Sequence, residues 1–157
     1  FTLDGDGQND PADIPKLWEQ LDETARAAQL QILAGHRVVR RDSQAKRMAS
    51  RWANAVRSRV LRDGTPDTGC GLKLFPRTLF LQLPYFNHMH RFLPALFNRH
   101  GGQVRSVPVN HRNRQGGSSH YGNLDRFLVG VVDLLGVYWL LRRHAPLPSI
   151  KEHSPHE

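Results

Sequence analysis

The chain has 157 residues, room for one ordinary domain with a buried core and too few for two. Its 22 Lys plus Arg against 14 Asp plus Glu leave a net charge of +8, which favours an anionic partner such as phosphate, nucleic acid or an acidic membrane surface. A single cysteine, Cys70, excludes an internal disulfide framework and a Cys-rich zinc module, and it suits a reducing compartment.

The charge is segregated: residues 1 to 35 carry seven acids against Lys16 and Arg26, and the rest of the chain is strongly basic. The chain opens on Phe1-Thr2-Leu3-Asp4, with no initiator Met, basic start or apolar run of a signal peptide, and reads as the middle of something larger. Phe1 to Leu3 suits a short buried strand running into the Asp4-Gly5-Asp6-Gly7 turn. Ile14, Leu17, Trp18, Leu21 and Ala25 recur at three- and four-residue spacing, so the pattern predicts an amphipathic helix over Pro11 to Ala28. Leu30 to Ala34 follows as a strand closed by Gly35. Met48, Trp52, Val56 and Val60, four residues apart, predict a helix over Ser43 to Leu61 with these residues on one face and its bases on others.

Gly64 to Gly71 is a loop by composition and Leu72 to Phe75 a short strand. Short helices are expected over Pro76 to Leu83 and His88 to Arg99, the second burying Phe92, Leu93 and Leu96. Gln103 to Val109 alternates as a strand, Asn110 to Gly122 is a polar loop, and Asn123 to Arg143 is a helix. Residues 144 to 157 read as a disordered tail behind a domain over 1 to 143. Strands alternating with helices indicate an α/β layer structure. In such a sheet the ligand lies beyond the carboxyl ends of the strands, here the loops at Asp4 to Asp10, Gly35 to Arg41, Gly64 to Gly71 and Asn110 to Gly122.

Three stretches carry chemistry. Asp4, Asp6 and Gln8 alternate at a strand end, where period 2 would aim all three to one side as a hard-cation site; an Asp-Gly turn without chemistry is the alternative. Lys46, Ser50 and Asn54 share a face at four-residue spacing, a cation, a hydroxyl and an amide suited to phosphate, or else a solvated basic face. His111 to Gly122 sets Arg112 and Arg114 before small residues that expose backbone N–H groups, an anion cradle or a flexible basic loop.

In order, Leu3-Asp-Gly-Asp-Gly-Gln-Asn-Asp-Pro-Ala-Asp13, Gly35-His-Arg37, Ser50-Arg-x-x-Asn54, Asp67-Thr-Gly-Cys-Gly-Leu-Lys73, His90-Arg-Phe-Leu-Pro94 and Arg114-x-x-Gly-x-Ser-x-Tyr121 resemble family 2 glycosyltransferases of the polyprenol-phosphate type, the bacterial relatives of dolichyl-phosphate mannose synthase. The resemblance implies a GT-A (Rossmann-like) α/β fold, here lacking the N-terminal nucleotide-binding βα units, with a C-terminal amphipathic helix. It implies transfer of a sugar from a nucleotide-sugar to a polyprenyl phosphate at the cytoplasmic face of the inner membrane, with Mg²⁺ or Mn²⁺ as cofactor. On the family pattern Asp4, Asp6 and Gln8 match the metal and donor motif, and Asp4, Asp6 and Arg37 the catalytic set. Arg37, Lys46, Ser50, Arg114 and Ser119 match positions that hold phosphate groups, and His120 stands where relatives often carry Lys.

Two other readings compete with transfer. A nucleic-acid-binding module would suit the basic charge, but no helix-turn-helix, zinc-finger, RNP or KH pattern is present and the acidic opening would repel a phosphate backbone. An inactive fragment is the third reading. Phe127 to Leu141, flanked by Arg126, Arg142 and Arg143, is 15 residues and about 22 Å as a helix, short of a hydrocarbon core of about 30 Å. It is expected either to pack on the sheet or to lie at the membrane surface on Leu135 and Trp139.

Overall fold

The computed structural model describes residues 1–21, 23–28, 31–38, 44–112 and 123–143. They form an α/β arrangement whose centre is strand β1, Gln31–Arg37. Antiparallel to it lies β2, Lys73–Leu74, in the register Leu33 to Leu74. Parallel to it lies β3, Gln103–Val109, from Gln31 opposite Gln103 to Arg37 opposite Val109. The order β2-β1-β3 makes a mixed sheet of three strands, and the parallel pair needs the long crossover that residues 38 to 102 provide.

Adjacent residues of β1 face opposite layers, as strand pleating requires. Ile32 packs with Leu61, Leu93, Leu96, Phe97 and Val137 in one core. Leu33 packs with Leu17, Leu72, Leu74, Val107 and Val109 in the other. Helix α1, Ile14–Glu19, supplies Leu17 to the second core; α2, Glu23–Ala27, follows it. Helices α3, Gln44–Leu61, α4, Arg77–Phe80, and α5, Leu93–Arg99, and the long α6, Asn123–Arg142, give Leu61, Leu79, Leu93, Leu96, Phe97 and Val137 to the first.

Several expectations are corrected. Phe1 to Leu3 is no buried strand: a single antiparallel bridge joins Thr2 to Lys73, and Phe1 is 50% and Leu3 42% exposed. The helix expected over Pro11 to Ala28 is a 3-10 turn at Pro11–Asp13 followed by α1, which ends at Glu19, and the separate α2. The strand expected to close at Gly35 runs on to Arg37. Pairing with β3 carries the strand through Gly35, where a glycine is needed because a β-carbon would stand 2.8 Å from Cys70 Sγ and 3.0 Å from Leu72 O. The largest change concerns α3: Met48 is 74% and Trp52 70% exposed, and Val56 and Val60 remain more than a third exposed. Among the described side chains of α3, those buried are Arg57 and Leu61. Arg57 Nη1 donates to Asp63 Oδ2 at 2.7 Å and Nη2 to Thr65 O at 2.8 Å, so a buried ion pair ties the helix to the loop that follows. Burial pulls the Arg57 pKa down while Asp63 and Asp67 hold it up.

The strand β3 and the burial of Phe92, Leu93, Leu96 and Phe97 follow the sequence pattern. The proposed tail, residues 144 to 157, lies outside the described residues.

Candidate functional site

Four segments meet at one end of the sheet. The chain leaves Thr2 through a turn at Gly5 and Asp6, with Gly7 at φ 73°, where L side chains other than Gly are strained. Asp6 Oδ1 accepts the Gln8 N–H at 3.1 Å and closes this turn. Asp4, Asp6 and Gln8 therefore sit around a turn and not along an extended strand, so the period-2 argument for one common side does not apply. The turn is tied to the end of β3, since Arg112 N donates to Gln8 O at 2.9 Å and Arg112 Nη2 meets Asp10 Oδ1 at 2.7 Å. The Asp10 carboxyl is held below its usual range, first by the Ala12 N–H and with help from Arg112. Asp13 is buried and accepts both the backbone and the side-chain N–H of Asn110.

The segment Asp67 to Lys73 packs beneath the turn. Thr2 Oγ1 donates to Gly71 O at 3.0 Å, and the Asp4 carboxylate lies directly on Gly71, where a β-carbon would come within 2.3 Å of Asp4 Cγ. Asp67, itself buried, takes both Arg37 Nε at 2.7 Å and Arg37 Nη2 at 2.8 Å, and also the Arg37 backbone N–H. A bidentate carboxylate–guanidinium pair fixes the plane of the guanidinium, so Arg37 ends β1 in a defined orientation and not in a loose loop.

Lys73, on β2, is 1% exposed. Its ammonium donates to the carbonyls of Thr68 and Cys70. Burial pushes its pKa down, opposed by Cys70, Asp4 and Asp67. Burial likewise raises the Cys70 thiol, which makes it a packing residue more than a nucleophile. Beside Asp4 and Lys73 opens a cavity of about 370 Å³ that reaches Phe75, Tyr85 and His90. Burial, then Arg91 and Lys73, lower the His90 pKa, and Asp4 opposes them.

Among the described residues no three His, Cys, Asp or Glu side chains gather into a metal cage. Asp4 and Asp6 are nevertheless a hard-oxygen pair on one turn, with Asp4 on the cavity wall. In residue type they are the candidates to hold a Mg²⁺-type ion, which takes one or two carboxylates and completes its shell with water and ligand phosphates. Lys46 and Ser50 stand one turn apart on α3, with side chains outside the described residues, as are Arg114 and Ser119 altogether.

Curated proteins align with most of the chain. Dodecaprenyl-phosphate galacturonate synthase of Rhizobium johnstonii is 34% identical over 147 residues, 92% of this chain and 42% of that protein. Undecaprenyl-phosphate 4-deoxy-4-formamido-L-arabinose transferase of Edwardsiella ictaluri is 31% identical over 122 residues, 78% of this chain and 36% of its own. The Sodalis glossinidius enzyme of the same name is 32% identical over 120 residues, 76% and 35%. The chain is homologous to these polyprenyl-phosphate sugar transferases. It spans about two-fifths or less of the length of these relatives. No family model and no solved structure matches it.

The site also contains residues whose place in it the sequence pattern does not single out. In the sequence Gly71 and Lys73 are only letters of the Asp67 to Lys73 motif. Lys73 lies between Leu72 and Leu74, both buried, in a two-residue strand, and a lysine inside an apolar strand must find polar partners within the fold.

Proposed function

We propose that the protein carrying this chain transfers a sugar from a nucleotide-sugar to a polyprenyl phosphate, on a GT-A type domain, with Mg²⁺ or Mn²⁺ held by Asp4 and Asp6. The observation that carries this reading is the Asp4–Gly5–Asp6 turn, seated on Gly71 at the edge of the cavity, in a chain 34% identical to a dodecaprenyl-phosphate galacturonate synthase. Bound there, the cation would neutralise charge on the departing diphosphate.

The chain's own residues then have an electrostatic task. A phosphate monoester is already anionic, so attack of its oxygen on the anomeric carbon needs no strong general base. What it needs is that two mutually repelling anions be brought together, and fixed cations and hydroxyls supply this. Arg37, oriented by Asp67, together with Lys46, Ser50, Arg114 and Ser119, is assigned to the phosphate groups on the family pattern, and Gln8 completes the donor motif.

The proposed acceptor is a lipid, which supports a peripheral position at a membrane; we assign it to the cytoplasmic face of the inner membrane on the family pattern alone. Helix α6 is suited to that contact. Its inner side packs Leu134, Val137, Tyr138 and Leu141 on the core, while Leu128, Val132, Leu135 and Trp139 are exposed. The core packing agrees with the first expectation for this helix, and the exposed apolar side is what supports the membrane-surface reading. Among the described residues no helix is long and apolar enough to cross a membrane. The test is transfer of labelled sugar to a polyprenyl phosphate with and without EDTA, in the unmodified protein and in Asp4→Asn and Asp6→Asn. Transfer abolished by EDTA and by either substitution is expected; transfer undiminished in excess EDTA would remove the metal from the mechanism.

A further inference from the structure

Apart from Asp4, Gly71 and Lys73, the residues lining the cavity have no part in the assignments above. Its volume of about 370 Å³ lies at the low end of the range of about 300–1,000 Å³ typical of small-molecule sites, which suits one monosaccharide ring. Phe75 and Phe80 line it and stack on each other with centroids 5.0 Å apart. The segment from Tyr85 to His90 also lines it, and among its residues Phe86 carries an apolar ring and Asn87 and His90 carry groups able to hydrogen-bond. A sugar ring has C–H faces that aromatic rings accommodate and hydroxyl edges that an amide and an imidazole can pair.

This segment is held in place from several directions. His88 adopts φ 63°, a left-handed conformation uncommon for a residue with a side chain. Its Nδ1 lies 3.1 Å from Asp133 Oδ2, the carboxylate that interrupts the apolar run of α6. Met89 N donates to Phe86 O, Phe92 N donates to Met89 O at 2.8 Å, and the Phe86 ring packs 6.2 Å from that of Phe92. Such over-determination is what lets a strained residue persist.

We propose that residues Tyr85 to His90 form the specificity-determining wall of the pocket for the transferred monosaccharide, with Asn87 and His90 pairing its hydroxyls and the His88–Asp133 contact as the positioning pair. The inference rests on the reading of Asp4 as part of the donor diphosphate site: the sugar is one bond from that diphosphate and so falls into the cavity that Asp4 borders.

Calorimetric titration tests the pocket separately from the chemistry. The protein carrying this chain is titrated with UDP and GDP, and with UDP- and GDP-sugars. Asn87→Ala and His90→Ala are expected to weaken the nucleotide-sugar about three- to tenfold each, the value of a hydrogen bond, and to leave the nucleoside diphosphate unchanged. Asp133→Ala is expected to act in the same direction, with Asp133→Glu restoring part of the loss. Where an alanine variant does not fold, Asn87→Ser and His90→Gln serve the same comparison. Equal weakening of both ligands, or of neither, would overturn the pocket assignment while leaving the diphosphate site intact. An unmodified protein that binds neither ligand would overturn both.

Discussion

The Asp4 carboxylate rests on the α-carbon of Gly71, so closely that a β-carbon there would lie 2.4 Å from each of its oxygens. Residues 67 positions apart in the chain are thereby interlocked: the glycine is the seat that decides where the first carboxylate of the turn points. Gly71→Ala is expected to push Asp4 aside and to raise the Mg²⁺ or Mn²⁺ concentration needed for half-maximal transfer about 10- to 100-fold, the range for outer-shell changes at metal sites. Metal titration of activity, with the melting temperature as control, checks this. An unaltered metal requirement would show that Asp4 is free to keep its position without the seat.

Arg37 is expected to serve structure as well as phosphate binding. Its bidentate pairing with the buried Asp67 ties it to the fold. Arg37→Ala leaves Asp67, whose side chain is 6% exposed, as a buried carboxylate beside the end of the sheet. Breaking a buried pair costs about 3–5 kcal/mol, reduced here because the Arg37 side chain keeps 16% exposure and solvent screens it. Urea denaturation should show a loss of stability in Arg37→Ala that the double variant Arg37→Ala/Asp67→Asn partly recovers, while transfer is recovered in neither.

Lys73 makes stability depend on pH in a defined direction. Burial lowers its pKa in the folded chain, so between the folded value and that of an ordinary lysine the unfolded chain binds more protons than the folded one. Stability contributed through this group therefore rises with pH across that window, and the cost of the buried ammonium is fully present below it. The difference in urea midpoint between the unmodified protein and Lys73→Met should shift in favour of the unmodified protein as pH is raised toward the ordinary lysine value. A difference independent of pH would show that Lys73 titrates as it does in the unfolded chain.

Exposed apolar residues on α6 and α3 are expected to mediate vesicle binding. The two helices pack on each other, with Leu135 and Trp139 on the first and Met48 and Trp52 on the second exposed. Arg142 and Arg143 lie against Tyr138 and Trp139, with Arg142 4.1 Å from the centroid of the Tyr138 ring, placing cations where anionic headgroups would meet them. Leu135→Glu and Trp139→Glu should leave folding unchanged and reduce cosedimentation with anionic liposomes. Vesicle binding retained by both would place the lipid contact elsewhere.

What the sequence by itself determined is what local pattern can express. The alternation over Gln103 to Val109, the helical spacing across Ser43 to Leu61 and the apolar run Phe92, Leu93, Leu96 and Phe97 correspond to β3, α3 and a buried segment of the core. The ordered motifs likewise identified the relatives. Periodicity states that a helix has an apolar face but not where its neighbours stand. Only the tertiary structure turned Met48 and Trp52 outward, buried Arg57 in exchange because Asp63 and Thr65 lie within reach, and carried β1 through Gly35 because the parallel pairing with β3 runs on to Arg37 opposite Val109. The candidate site divides in the same way. Asp4, Asp6 and Arg37 were legible as residue types that bind cations and anions, whereas the seat at Gly71, the Asp67 partner and the buried ammonium of Lys73 exist only because segments distant in the chain converge at one end of the sheet.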